Sequence, residues 1–171
     1  FTAQNMGADR ADRVKKGTLQ ALGMMAIISG ISIAAGLLLT IDGTYLKIFL
    51  SADKITEETI RFGNHFLYID LSLYVFLGFI FVMRNCVQGI GRPQFILGAG
   101  AAELVARVAV CLLLPAVFAG GEVSATAPLS AYHALCFADP SAWIAADLVL
   151  AVPFFKNIMK MDYAYFYRTR R

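Results

Sequence analysis

The chain has 171 residues, 58% of them hydrophobic and only 16% charged, with a formal net charge of +3 and a mean hydropathy of +0.65. A soluble domain averages about 25% charged residues. Here the deficit is gathered into four apolar stretches, which excludes a water-soluble globular fold and predicts an all-α polytopic membrane bundle of four transmembrane helices. The placement of the basic residues carries more meaning than their small excess, and no nucleic-acid partner is expected.

Phe1 to Asp12 reads as the end of one helix and the start of the next. Gly7 suits a helix C-cap, and Asp9 suits an N-cap with Asp12 three residues on. Arg10, Arg13, Lys15 and Lys16 then form a basic collar before an apolar run. Gly17 to Ile41 contains no charge at all, and at ~1.5 Å per residue it exceeds the ~30 Å hydrocarbon core. The first span is therefore expected over about 9–41, with Ser32 and Gly36 placed for close helix approach.

Asp42 to Gly63 carries mixed charge and fits an external segment. Thr56 is placed to cap a helix whose first turn holds Glu57 and Glu58, favourable to its dipole. That helix is expected to run unbroken over about 56–84, with Asp70 roughly 9 Å inside the membrane. Met83 to Pro93 then reads as a short basic turn, broken by Gly89, Gly91 and Pro93.

Pro93 suits a first helical position, and a span is expected over about 93–118. On it, Gly98, Ala102 and Ala106 form a close-packing face, and Glu103 and Arg107 stand at i and i+4. Ala119 to Asp139 reads as an external loop containing a loop histidine, His133. Asp139-Pro140 then starts the last span, about 140–159, with Trp143 at the interface level, Asp147 roughly 10 Å deep and Pro153 as a kink. The tail, 160–171, sets aromatics before arginines and reads as an anchor at an anionic leaflet.

Eleven basic residues fall in the segments this topology places inside and three, Lys47, Lys54 and Arg61, in those it places outside. The bias predicts a multi-pass plasma-membrane protein with a cytoplasmic C-terminus. The opening on Phe1 without Met, and the need for more than four helices to enclose a solute path, lead to the expectation of further chain upstream. Cys86, Cys111 and Cys136 form no disulfide framework and no metal spacing.

Several of these segments resemble the multidrug and toxic compound extrusion (MATE) transporters. Gln4-Asn5-Met6-Gly7-Ala8-Asp9 resembles that family's QNxGAG segment. Arg84-Asn85-Cys86-Val87-Gln88-Gly89-Ile90-Gly91, followed by Glu103 to Arg107, resembles its RNxxQGxG…ELxxR pattern. Ile48-Phe49-Leu50 and Ser141-Ala142-Trp143-Ile144 are similar to the same half. The chain departs from the pattern at Asp9, where glycine or a similar residue is usual. The resemblance implies the last four helices of a twelve-helix transporter built of two six-helix lobes, packed against an N-terminal lobe. It implies antiport of drugs, organic cations or metabolites against Na⁺ or H⁺, with a cationic or amphipathic small molecule as substrate and no cofactor besides that ion. Some members are proposed to carry a coupling carboxylate in the tenth helix. Asp70 occupies that helix, but its offset from Arg84 does not clearly fit.

Charges inside a bilayer cost about 2.5–3.5 kcal/mol each on insertion scales, so they pair or line water. Glu103 and Arg107 read either as a structural pair that cancels its own charge or as one that opens on binding. Asp70 and Asp147 have no basic neighbour at i±3 or i±4, so coupling and interhelical structure both stand for them, with Arg107 in reach of one. H-E-x-x-H, G-x-S-x-G and Walker motifs are absent, as is a third glycine after Gly89-Ile90-Gly91, and an enzyme is not expected. The alternatives to an antiporter are a lipid-linked saccharide flippase of the wider superfamily and a non-transporting scaffold or accessory subunit.

Overall fold

The computed structural model describes residues 1–121 and 128–162, and every described regular element is helical. A short α1 (Thr2–Gly7) leads into α2 (Ala11–Leu39); a small turn region including α3 (Leu46–Phe49) follows. Then come α4 (Glu57–Ser72), α5 (Tyr74–Gly89), α6 (Pro93–Ala119), α7 (Leu129–Leu135) and α8 (Ala138–Pro153), the last running on into a π-helical turn over Phe154–Ile158.

Three stretches are long and apolar enough to cross a membrane: Ala11–Leu39, Pro93–Ala119 and Leu129–Ile158. Helices α4 and α5 pass the same test only together, as a fourth candidate bent by 47° between Ser72 and Tyr74. Beyond their first turns the exposed residues of α2 and α6 are mostly apolar, among them Ile27, Ile31, Leu97, Leu104, Leu112 and Val117. Such faces are at home only against lipid tails or another apolar element. The fold is the all-α multi-pass bundle that composition predicts.

Helix α8 lies at the centre, packed on α6 and α5, while α2 packs on the far side of α5. The core is formed by Ile80, Met83 and Val87 of α5, Trp143, Ala146 and Leu150 of α8, Phe154 and Ile158 beyond it, and Ala11 and Val14 of α2. Gly36 lets α2 approach closely, because a Cβ there would stand 2.8 Å from both terminal carbons of Leu71. The spacing argument for that face therefore holds. Gly98 of α6 is in ordinary contact with Val149 of α8, where a Cβ would meet it at 3.6 Å.

Local chemistry explains most helix ends. The Thr56 hydroxyl accepts from the Thr59 amide at 3.1 Å and caps α4, and Pro93 opens α6. The chain turns differently at its start. Arg10, not Asp9, occupies the cap position of α2. Asp9 sits in the left-handed region at φ 55°, a conformation that Asp tolerates better than most residues. Helix α1 ends on Gly7, with Ala8 as its cap.

Two expectations about the spans are corrected. The helix expected unbroken over 56–84 divides at Leu73. There the Ser72 hydroxyl donates to the Ile69 carbonyl at 2.7 Å, and the Leu73 amide turns back to the Asp70 carbonyl at 3.2 Å. A hydroxyl competing for a ladder carbonyl loosens and bends a helix. The last span also begins earlier than 140. Leu129–Leu135 is helical, and Cys136 and Phe137 keep helical backbone angles up to α8. Residues 122–127 of the expected external loop and 163–171 of the basic tail lie outside the described residues.

Candidate functional site

The charged residues of the apolar spans converge on one region. Arg84 of α5 donates to Glu103 of α6 at 3.1 Å. Glu103 also meets Arg107, one turn along its own helix, at 3.6 Å. Arg107 in turn reaches Asp139 of α8, with Nε and Nη2 both 2.9 Å from Oδ1. The result is a row of alternating sign that ties α5, α6 and α8 together.

This arrangement corrects the sequence reading in several respects. Arg84 lies inside α5, five residues from its end, and not in the turn. Glu103 and Arg107 do not simply cancel each other, because each makes its shorter contact with another helix. Asp139 is no external loop residue. It stands in the first turn of α8, ten residues into a span that starts at Leu129, or about 15 Å along the helix axis. Trp143 is 7% exposed in the core and meets Tyr74 edge-on.

Asp70 sits three residues before the break at Leu73. Its Oδ1 is enclosed and takes no hydrogen bond among the described residues. Asp147 is buried, and neither of its oxygens takes a hydrogen bond among the described residues. Arg107 reaches neither Asp70 nor Asp147 in a described ion pair; it goes to Asp139. The span that holds Asp147 starts at Leu129, so Asp147 stands 18 residues along it, about 27 Å.

The span of α4 and α5 runs beside that of α7 and α8 in parallel register. Tyr132 donates to the Phe62 carbonyl at 2.9 Å and packs edge-on against the Phe62 ring. His133 and His65 share a hydrogen bond of 2.7 Å between ring nitrogens. Tyr74 meets Trp143 below them, and Asp70 and Asp139 occupy corresponding positions between these two contacts. His133 is thus a helix residue joining two spans, not a loop histidine. Above this column Thr40 joins α2 to α4, accepting from Asn64 at 3.1 Å through its carbonyl and from Tyr68 at 3.4 Å through its hydroxyl. Nearby, burial pushes the Tyr45 phenol above its ordinary range.

The remaining motif residues shape the turns beside α1 and after α5. Asn5 donates to the Phe1 carbonyl at 2.9 Å, and Asn85 to the Phe81 carbonyl at 2.8 Å. Gly89 lies so close to Thr2 that a Cβ there would meet its side chain at 2.5 Å. Gly91 turns the chain at φ +77°, which glycine adopts without penalty. Gln4 and Gln88 are exposed. No group of three or more metal-ligating side chains occurs among the described residues.

Sequence reasoning missed Asp139 and the role of Arg84. The misplaced loop hid the first, and a basic residue near a glycine turn looks cytoplasmic whatever it pairs with. Ser72 was a signal for the break, since serine within a helix competes for backbone carbonyls.

Apolar outer faces, a broken span and buried charge ordered between helices define a multi-pass membrane protein of the transporter type. The profile of the MatE family matches residues 1–113. The chain belongs to that family, whose members are transporters and not enzymes. No curated protein and no solved structure matched the chain.

Proposed function

We propose that this chain acts within a secondary active exporter, moving drugs, organic cations or metabolites outward in exchange for Na⁺ or H⁺, with Asp70 as the ion-coupling carboxylate. The observation that carries this reading is the charge balance around Asp70. Arg84, Glu103, Arg107 and Asp139 supply two cations and two anions in contact with one another. Asp70 adds one more anion, and among the described residues no basic side chain pairs with it. An uncompensated carboxylate between membrane helices calls for a proton or a metal cation.

The break supports the same role. Broken helices within a membrane mark ion and substrate sites, and here the Ile69 and Asp70 carbonyls leave the regular ladder for the Ser72 hydroxyl and the Leu73 amide. Asp70 is beside such a break. Asp147 is a second candidate, supported by its burial and its two unpaired oxygens. In this reading the chain packs against a second lobe, the solute path runs between the lobes, and the protein sits in the plasma membrane with its C-terminus in the cytoplasm.

The test is Asp70→Asn in the full chain reconstituted in proteoliposomes. The substitution keeps the shape and removes the charge, so efflux of a fluorescent organic cation should lose its response to an imposed Na⁺ or H⁺ gradient while membrane expression stays near normal. An undiminished ion-driven efflux would remove Asp70 from the mechanism.

A further inference from the structure

His65 of α4 and His133 of α7 share a hydrogen bond of 2.7 Å, between Nδ1 of the first ring and Nε2 of the second. The ring centroids are 4.6 Å apart. A bond between two imidazole nitrogens needs a hydrogen on one and a lone pair on the other. The closed pair accepts one added proton readily, because an imidazolium donating to a neutral ring makes a stronger, charge-assisted bond. A second proton is incompatible with the contact. Both facing nitrogens would then carry hydrogen, neither could accept, and two like charges would stand against each other.

The neighbouring groups do not relieve that repulsion. Among the described residues neither imidazole has an acidic partner. On α4, Arg61 stands one turn before His65, its guanidinium 5.6 Å from the centre of the Phe62 ring, and Tyr68 is turned to Thr40. On α7, the Tyr132 ring lies 6.2 Å from His133, and Cys136 lies beside Tyr132. The turn packed against α4 brings Asp42, and Tyr45 lies against Gly63. Helix α6, packed on α7, carries Cys111 and Arg107, and Arg107 is committed to Asp139 and Glu103. Along the two segments themselves the nearest acids are Asp70 and Asp139, five and six residues further on.

The backbone below the histidines is built to let α4 move. Helix α4 separates from α5 at Leu73, eight residues or about 12 Å beyond His65, with a bend of 47°. Past that break, α5 is fixed to α8 through Ile80, Met83, Val87, Trp143 and Leu150 of the core. Among the described residues α4 is joined to α7 by two hydrogen bonds, the histidine pair and Tyr132 to the Phe62 carbonyl. We propose that the His65–His133 contact is a proton-operated latch, which holds α4 against α7 with up to one added proton and releases it when both rings are charged. Both rings are only partly buried, so protons reach them, and imidazole ordinarily changes charge between about pH 5 and 8. The latch is thus closed at alkaline and neutral pH and opens as pH falls. The topology proposed above places it at the outer ends of the two spans, where external acid releases it; that sidedness rests on the topology, whereas the latch itself does not.

The test uses the full chain with its native cysteines replaced and spin labels on Glu58→Cys of α4 and Ser130→Cys of α7, both exposed positions. In detergent, the distance between the labels should lengthen when pH falls from about 8 to about 5. In His133→Gln the distance should stay at its short value throughout, because the amide oxygen still accepts from a charged His65. An unchanged distance in the parent, or the same lengthening in His133→Gln, would overturn the proposal. Should His133→Gln fail to fold, ring ¹⁵N resonances of the parent decide. The two histidines should take up protons in two steps, the second at least about tenfold weaker than the first, with the distance following the second step. Uptake in two equal steps would overturn the latch. Repeating the measurement in oriented vesicles acidified on the external face alone separates the two readings. Lengthening in detergent that is absent there would invert the topology and leave the latch standing.

Discussion

Asp9 was expected as a helix cap, and the cap falls instead to Arg10. It follows the Gln4-Asn5-Met6-Gly7-Ala8 run, at a position where the family usually has glycine. The structure supplies the cause, since Asp9 is held at φ 55°, where a Cβ crowds the following carbonyl and glycine pays no penalty. Aspartate is among the few other residues that visit this region routinely. Asp9→Gly should therefore leave thermal stability in detergent nearly unchanged. Asp9→Val, with a branched Cβ, should lower it by about 1–2 kcal/mol. Equal melting behaviour of the two variants would show that the left-handed turn is not retained.

At the scale of elements, the division between α4 and α5 matters most to the proposed function. Periodicity alone continues the helix from Thr56 to the glycine turn, because one serine in an apolar run barely disturbs the pattern. The hydroxyl of Ser72 changes the outcome by taking the Ile69 carbonyl, a contact the pattern cannot register. Ser72→Ala returns that carbonyl to the ladder. The variant should melt at a higher temperature, by an amount worth under about 1 kcal/mol, while ion-driven efflux slows because the break beside Asp70 is straightened. A lower melting temperature would show instead that the hydroxyl supports the helix. The last span teaches the same lesson in reverse. Asp139-Pro140 is a strong helix start by composition, yet the chain is already helical from Leu129. A Pro in the first turn of α8 is tolerated there because the first amides of a helix have no internal partner.

For the whole molecule, the distribution of basic residues makes a prediction that packing does not enter. With the native cysteines replaced, Asp53→Cys should react with a membrane-impermeant maleimide added outside intact cells, and Arg13→Cys should react only after permeabilisation. The reverse pattern would invert the proposed topology. The sequence by itself determined the class of fold and the membership of the MatE family. These follow from properties summed over many residues, namely apolar length against bilayer thickness and motif order along the chain. It also singled out Asp70, Glu103, Arg107 and Asp147 as charges needing an account. Only the tertiary structure decided what accounts for them. Glu103 and Arg107 are i,i+4 neighbours on paper, yet their shorter bonds run to Arg84 and Asp139 on other helices. Asp70 and Asp147 were equivalent in local sequence, and the structure separates them, one beside a break, the other enclosed in the core helix. The physical reason is range. Local sequence governs interactions within one or two helical turns, whereas the partner of a buried charge is chosen by how helices far apart in the chain are packed together.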